Sequence, residues 1–236
     1  MTDPLDLVPR VAWAEFRRRL AWRQGEHVTL LGPTGTGKTT LATQLLDMRR
    51  FVVAIGTKPQ DDTLRYLRRH AGFKLYKELP VSIPKGEDAR AIVWPKMRTL
   101  DRARKRQLAG VVRQTLDRAY TAGGWTIFVD ELYFAARTLR LADELSDIWS
   151  QGRSNFVSLI GCSQRPRNIP LDAYSAASHV FLWRNSDRYD VKRLSELNGV
   201  NTDIIRAIVP KLARHDVLYV STRTGAMVIT VAPKVI

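Results

Sequence analysis

The stretch HVTLLGPTGTGKTT, residues 27–40, joins a short apolar run to a glycine-rich loop and then to a helix-forming segment. Within it, Gly32 to Thr39 fit the pattern G-x-x-x-x-G-K-[ST] in full, and this pattern binds the phosphates of nucleotides. Glycines let the backbone curve so that its N–H groups converge on a phosphate, while the start of the next helix adds positive potential. The stretch therefore predicts a phosphate-binding loop between a strand and a helix.

The side chains at the end of this loop have separate predicted roles. Lys38 is expected to reach the β- and γ-phosphates of ATP, and the Thr39 hydroxyl is expected to bind the accompanying Mg²⁺. The residues predicted to surround the nucleotide are Gly32, Pro33, Thr34, Gly35, Thr36, Gly37, Lys38, Thr39 and Thr40.

A second motif, WTIFVDE at residues 125–131, is an apolar run that ends in two carboxylates. Asp130 is predicted to hold Mg²⁺, and Glu131 is predicted to orient and polarise the attacking water. The adjacent glutamate favours hydrolysis of ATP, because a kinase for a small molecule needs a pocket for its acceptor instead.

A third apolar run, SLIGCSQ at residues 158–164, ends in Ser163 and Gln164. In a parallel sheet the carboxyl ends of the strands face the bound ligand. A glutamine amide at that position can hydrogen-bond both a γ-phosphate oxygen and the attacking water. Gln164 is therefore predicted to sense the terminal phosphate, although a plain surface loop would also explain the change from apolar to polar.

The whole chain alternates apolar strands with helices, which predicts an α/β fold with a mainly parallel central sheet flanked by helices. An Arg-Thr-Gly turn predicts an antiparallel hairpin near the C-terminus. The longest helix is expected to face the core through Leu100, Ala103, Gln107, Gly110, Val111, Gln114 and Ala119. Strands are predicted at 27–31, 51–56, 73–79, 91–94, 125–130, 156–162, 179–183, 216–221 and 226–231, and helices at 10–24, 38–48, 65–70, 99–122 and 138–150.

Charge is the unusual feature of the composition. The 236 residues include 38 Lys and Arg against 23 Asp and Glu, a formal net charge of +15. Such a chain is attracted to polyanions, and nucleic acid is the leading candidate; an arginine-rich chain with no such partner is the alternative. The single cysteine, Cys162, lies in an apolar run and is expected to be a small core residue.

No targeting or spanning segment is expected. No run approaches the roughly 18 apolar residues of a membrane span. The N-terminus also lacks the basic flank and apolar run of a secretory signal. The chain is expected to form one domain over residues 1–236, with 1–25 as a helical extension.

Two segments together resemble a known group. GRSNFVSLIGCSQRPRNIP (152–170), followed by HVFLWRNSDRYDVKRL (179–194), is similar to the HerA–FtsK superfamily of DNA-pumping P-loop ATPases. In that group a Gly-Arg step precedes an apolar strand that ends in Thr-Gln-Arg-Pro. The resemblance covers about residues 28 to 195, and Ser163 replaces the usual threonine while keeping its hydroxyl.

The resemblance implies a RecA-like core and a ring, usually a hexamer, with ATP between neighbouring subunits. It also implies an arginine that reaches into the neighbour's site to stabilise charge in the transition state. Arg153 matches the Gly-Arg position and is the first candidate for this arginine. Arg165 and Arg184 are the alternative candidates. The compact size is most similar to the genome-packaging ATPases of membrane-containing viruses, which implies a virion packaging vertex or host cytoplasm and portal-vertex or membrane proteins as possible partners.

Double-stranded DNA is the partner that the resemblance implies, bound through its phosphates in a central channel. The basic residues expected to contact it form a dense run at the start of the longest helix, with a second group as the alternative. The first comprises Arg102, Arg104, Lys105 and Arg106, and the second Arg65, Arg68 and Arg69.

Two other functions stay open at this point. The chain could be a membrane-associated ATPase of phage assembly or secretion, or a metabolic P-loop kinase that phosphorylates a small acceptor. The basic composition, the Asp-Glu pair and the Gln-Arg-Pro element favour the DNA translocase.

Overall fold

The computed structural model describes residues 3–83, 87–96, 99, 101–166, 169–194, 197 and 199–233. Its centre is a nine-stranded sheet with the order β3-β4-β2-β5-β6-β1-β7-β8-β9. The strands are β1 (Val28–Leu31), β2 (Phe51–Ile55), β3 (Lys74–Tyr76), β4 (Ala89–Val93), β5 (Thr126–Val129), β6 (Ser158–Ser163), β7 (His179–Trp183), β8 (Asp216–Ser221) and β9 (Met227–Val231).

Helices connect the strands. The α-helices are α1 (Trp13–Arg19), α2 (Lys38–Leu46), α3 (Asp62–His70), α4 (Arg102–Ala122), α5 (Ala142–Gln151), α6 (Asp172–Ser175), α7 (Arg188–Leu194) and α8 (Thr202–Ile208). Short 3₁₀ turns cover Pro4–Leu7, Gly152–Asn155 and Val209–Lys211, and a π-helical segment covers Phe134–Thr138. No helix in the described part of the chain is both long and apolar enough to cross a membrane.

The sheet is parallel from β3 to β7, and the C-terminal strands β8 and β9 form an antiparallel hairpin on its β7 edge. The predicted fold class is therefore confirmed. The inner parallel strands β1, β2, β5, β6 and β7 are buried on both faces, which explains why their sequences are largely apolar runs without alternation. The edge strand β3 is mostly exposed.

Two apolar clusters cover the two faces of the sheet. Along β2, Val52 and Ala54 pack with Leu41 and Leu45 of α2, whereas Val53 packs on the opposite side with the cluster that contains α4 and α5. Helices α2 and α3 therefore lie on one face, and α4 and α5 lie on the other.

Several predicted boundaries differ from the structure. The N-terminal helix spans only Trp13–Arg19, and the predicted strand at 73–79 is reduced to Lys74–Tyr76. The helix predicted at 65–70 starts earlier, at Asp62, because the Asp61 carboxylate caps it by accepting a hydrogen bond from Leu64 N at 3.1 Å.

The predicted inner face of the longest helix is wrong by about one residue position. Of the predicted residues, Ala119 is buried and Val111 is half-buried, whereas Ala103, Gln107, Gly110 and Gln114 are exposed; Leu100 lies outside the described residues. The buried residues of α4 are Leu108, Ala109, Val112, Thr115, Leu116 and Ala119. Burying leucine and valine removes more apolar area from water than burying glutamine or glycine, so these larger side chains set the rotation of the helix.

Candidate nucleotide-binding site

The glycine-rich loop turns between β1 and α2 at the carboxyl edge of the sheet. Gly35 and Gly37 have φ angles of 75° and 102°, in the region that favours glycine, and Gly37 is the N-cap residue immediately before α2. Gly32 N donates to Ser163 O at 3.1 Å, which ties the start of the loop to the end of β6. The loop thus has the strand–turn–helix context that phosphate binding requires.

Lys38 is folded against its own loop. Its Nζ donates to the carbonyl oxygens of Gly32 at 2.6 Å and Pro33 at 2.7 Å. Burial lowers the pKa of Lys38, and the carboxylates of Asp130 and Glu131 oppose that shift. The ammonium group therefore lies within the loop that is predicted to hold the phosphates.

Thr39 and Asp130 meet across the site. Thr39 Oγ1 donates to Asp130 Oδ1 at 3.0 Å, so a hydroxyl and a carboxylate stand side by side at the start of α2. These oxygens fit Mg²⁺, which proteins hold through one or two such groups together with substrate phosphates. Among the described residues no cluster of three or more His, Cys, Asp or Glu could hold a metal by itself.

The predicted residues Lys38, Thr39, Asp130, Glu131 and Gln164 all line one cavity of about 230 Å³, and Ser163 lines it as well. They converge because β5, β6 and β1 are neighbours in the sheet, with Val129 beside Gly161 and Leu31 beside Ser163. The carboxyl ends of the strands therefore bring together three motifs that are far apart in sequence.

Arg153 is not at this cavity. It lies in the 3₁₀ turn Gly152–Asn155 that precedes β6, so it is at the amino edge of the sheet, opposite the glycine-rich loop. Its side chain is exposed and makes no hydrogen bond or ion pair with the described residues. The alternative candidates Arg165 and Arg184 follow β6 and β7, at the carboxyl edge of the sheet. Arg165 Nη1 lies 3.8 Å from Asp187 Oδ2, and Arg184 is exposed.

The two basic groups lie on opposite faces of the sheet, since α3 and α4 pack on different apolar clusters. Arg102, Arg104 and Arg106 are exposed at the start of α4, and Lys105 is half-buried. In α3, Arg65 pairs with Asp62 at 3.0 Å, whereas Arg68 and Arg69 are exposed in the last turn. One flat surface cannot include both groups.

Lys58, which sequence reasoning missed, is also part of the cavity wall. Its Nζ lies 2.8 Å from Glu131 Oε1 and 3.5 Å from Asp130 Oδ2. Burial would lower the pKa of Lys58, but these carboxylates outweigh that effect and raise it above the ordinary value. The available signal was that Lys58 follows an apolar strand, as Asp130 and Gln164 do.

The C-terminal hairpin also reaches the loop. A Cβ added at Gly37 would lie 2.8 Å from Ala232 Cβ, and one added at Gly35 would lie 3.5 Å from Arg214 Nη2. His215 Nδ1 is 3.4 Å from Thr36 O. No local sequence signal marks these residues, because they approach the loop only through the antiparallel return of β8 and β9.

Solved structures share this architecture. The genome packaging NTPase B204 from Sulfolobus turreted icosahedral virus 2, in complex with sulfate, matches 90% of this chain and 99% of its own at a TM-score of 0.62 and 12% identity. VirB4 of Thermoanaerobacter pseudethanolicus matches 89% of each chain at a TM-score of 0.62 and 11% identity. The cytoplasmic domain of the Thermomonospora curvata type VII secretion ATPase EccC matches 90% of this chain and 26% of its own, at a TM-score of 0.55 and 17% identity.

The chain shares the P-loop fold of these three proteins. The resemblance seen in the sequence is thereby confirmed at the level of fold. No protein-family model and no curated protein matches the sequence. B204 has also been crystallised with ATP-gammaS and with AMPPCP, so this fold accommodates adenine nucleotide analogues in that protein.

Proposed function

We propose that the chain is an ATP-driven translocase of double-stranded DNA that hydrolyses ATP at the subunit interfaces of a ring and packages a viral genome. The observation that carries the proposal is the convergence of Lys38, Thr39, Asp130, Glu131 and Gln164 on one cavity beside the glycine-rich loop. A site with a phosphate loop, a metal-side carboxylate, a second carboxylate and a polar amide fits nucleotide hydrolysis.

Each residue has a part in this reaction. Thr39 and Asp130 would hold Mg²⁺, which offsets negative charge on the phosphates when it is bound. Lys38 binds the β- and γ-phosphates, and its hydrogen bonds to the loop carbonyls are exchanged for bonds to phosphate oxygens. Glu131 accepts a hydrogen bond from the attacking water, and the Gln164 amide orients that water against the terminal phosphate.

The position of Arg153 supports hydrolysis between subunits. An exposed arginine at the amino edge of the sheet cannot reach the cavity of its own chain at the carboxyl edge. It can enter a neighbour's site in a ring, where a cation stabilises the charge that develops on the terminal phosphate. A hexamer is the assembly that the superfamily resemblance implies.

DNA as substrate is supported by charge. A net charge of +15 favours a polyanion, and binding through phosphates suits a motor that must move along any sequence. We assign the DNA-binding role to Arg102, Arg104, Lys105 and Arg106, because they form the densest basic run and are mostly exposed. Packaging is the proposed task because the likeness to B204 extends over nearly the whole of both chains.

A second candidate is a secretion or assembly ATPase that works with a membrane complex. It is favoured by the comparable likeness to VirB4 and to the type VII secretion ATPase EccC. Such an enzyme would sediment with host membranes and would show no stimulation by duplex DNA.

The deciding experiment is the ATPase rate with and without duplex DNA across a salt series. We expect stimulation that fades as salt rises, because binding to the DNA phosphates releases counterions and added salt opposes that release. Lys38→Ala should abolish nucleotide binding or turnover, and Glu131→Gln should bind ATP without cleaving it. A protein that binds ATP but hydrolyses none under any condition would contradict the proposal.

The same assay tests the basic residues of α4. Replacing Arg102, Arg104, Lys105 and Arg106 together by alanine should weaken DNA stimulation and flatten its salt dependence, while the DNA-free rate stays as in the wild type. The control removes three charges instead of four, by replacing Arg17, Arg18 and Arg19 at the end of α1. Equal effects of the two sets would place the DNA-binding surface elsewhere.

A further inference from the structure

Lys58 is joined to the catalytic carboxylates by the arrangement of neighbouring strands. Strand β2 pairs with β5 in a register that sets Ile55 beside Val129, so the loops that follow these strands leave the sheet side by side. Lys58 lies in the first loop and Glu131 in the second, and their side chains meet at 2.8 Å. The pair forms part of the wall of the nucleotide cavity.

The backbone that carries Lys58 is held by packing. Trp94 Nε1 donates to Lys58 O at 2.7 Å. A Cβ added at Gly56 would lie 2.3 Å from Trp94 Cδ1 and 2.9 Å from Leu64 Cδ1, so only glycine fits between this ring and α3. The backbone at Lys58 is thus held against α3 and the residue that follows β4, so the lysine side chain starts from a fixed position.

A carboxylate that polarises water must be held in one orientation. Asp130 and Glu131 are adjacent in sequence, and their negative charges repel each other. Lys58 Nζ lies 3.5 Å from Asp130 Oδ2 and 2.8 Å from Glu131 Oε1. Its positive charge offsets the repulsion between the two carboxylates and is nearer to that of Glu131. The side chain of Lys58 is 39% exposed, so the pair contributes little to stability while still directing the carboxylate.

We propose that Lys58 is a positioning residue for hydrolysis, which holds the carboxylate of Glu131 toward the attacking water. This inference rests on the proposed ATPase function. It differs from a role in which Lys58 binds the terminal phosphate itself, because a positioning residue acts only through Glu131.

The test is a double-mutant cycle with MgATP as substrate. Lys58→Met should lower kcat by about 10–100-fold, the range found when a group that orients a metal ligand is removed. The dissociation constant of a non-hydrolysable ATP analogue should stay within about twofold of the wild-type value, because the analogue reports binding without the chemical step. Lys58→Arg should recover part of the rate, because it keeps a cation that can bond to Glu131.

The second arm repeats the substitution in a Glu131→Gln protein under single-turnover conditions. There Lys58→Met should lower the residual rate by no more than about twofold, because residues that act as a unit are not additive. Lys77→Met, at an exposed lysine after β3, is the matched control and should behave as the wild type.

Three outcomes would overturn the inference. If the wild type hydrolyses ATP and Lys58→Met has the same kcat, the positioning role of Lys58 is wrong while the proposed ATPase function stands. If Lys58→Met weakens binding of the ATP analogue to a similar extent in the wild type and in Glu131→Gln, Lys58 binds the phosphate instead of positioning Glu131. A wild-type protein that binds ATP but never hydrolyses it overturns the proposed function, and the role of Lys58 falls with it.

Discussion

His27, buried just before β1, has a side chain that the fold can accept only in its neutral form. Its Nδ1 accepts a hydrogen bond from Leu159 N at 3.0 Å, and its Nε2 has no partner among the described residues. Burial lowers the pKa of His27 to about 4. Protonation of Nδ1 would both place a charge in the core and remove the bond to β6.

Stability should therefore fall in mild acid. In the unfolded chain His27 takes up a proton near its ordinary pKa of about 6.5, whereas the folded chain resists until about pH 4. The unfolded state binds more protons between these values, so the free energy of unfolding decreases as pH falls through this window. Between pH 7 and pH 4.5 this residue should account for a loss of about 2–3 kcal/mol.

His27→Asn isolates this contribution, because the asparagine carbonyl can accept from Leu159 N but does not titrate. Urea unfolding at both pH values should show a smaller acid loss in the variant than in the wild type. Carboxylates such as Glu26, whose pKa is lowered, titrate in both proteins and cancel in the comparison. An equal acid loss in the two proteins would show that His27 does not titrate as described.

Among the elements, helix α4 shows how far a pattern can be read without its packing partner. The helix begins where Asp101 accepts a hydrogen bond from Arg104 N at 2.8 Å and ends at Gly123 with a φ of 68°. Both ends could be read from the sequence within a few residues. The predicted rotation was wrong because the prediction gave weight to small and polar residues, whereas Leu108, Val112 and Leu116, spaced four residues apart, mark the buried face.

Paired substitutions measure this rotation. Leu116→Ala should lower the free energy of unfolding by about 2–5 kcal/mol, since it leaves a cavity at a fully buried position. Gln114→Ala, on the face predicted from sequence to be buried, should change it by less than about 0.5 kcal/mol. Chemical denaturation of the two variants decides the orientation, and a larger effect at Gln114 would reverse it.

At the scale of the whole molecule, the sheet separates two halves of the proposed catalytic site. The loop, the carboxylates and Gln164 lie at the carboxyl edge, while Arg153 lies at the amino edge. Near Arg153, the residue Phe156 is 64% exposed and its backbone has a φ of 56°, which is costly for a bulky residue. An exposed aromatic residue beside an exposed arginine is the composition expected of a subunit interface.

Mixing experiments test whether Arg153 acts on a neighbour. Arg153→Ala should bind ATP and fail to hydrolyse it, and adding it to wild-type protein should lower the rate more steeply than simple dilution. Each mutant subunit would disable the site of its neighbour, so a titration of mutant into wild type measures the effect directly. Normal hydrolysis by Arg153→Ala would make Arg165 or Arg184 the better candidate.

Much of the candidate site was predicted from the sequence alone. The glycine pattern, the Asp-Glu pair and Gln164 each follow an apolar run, and parallel strands send such residues to one edge of a sheet. That reasoning needs only the positions of the apolar runs and their alternation with helices, both of which can be read directly from the sequence.

Tertiary structure decided the rest. The closeness of Lys58 to Glu131 depends on β2 lying next to β5, and the approach of Arg214 and Ala232 to the loop depends on the return of the C-terminal hairpin. Strand order is set by which large side chains bury the most apolar area together. That is a property of all the elements at once, so no single stretch of the chain contains it.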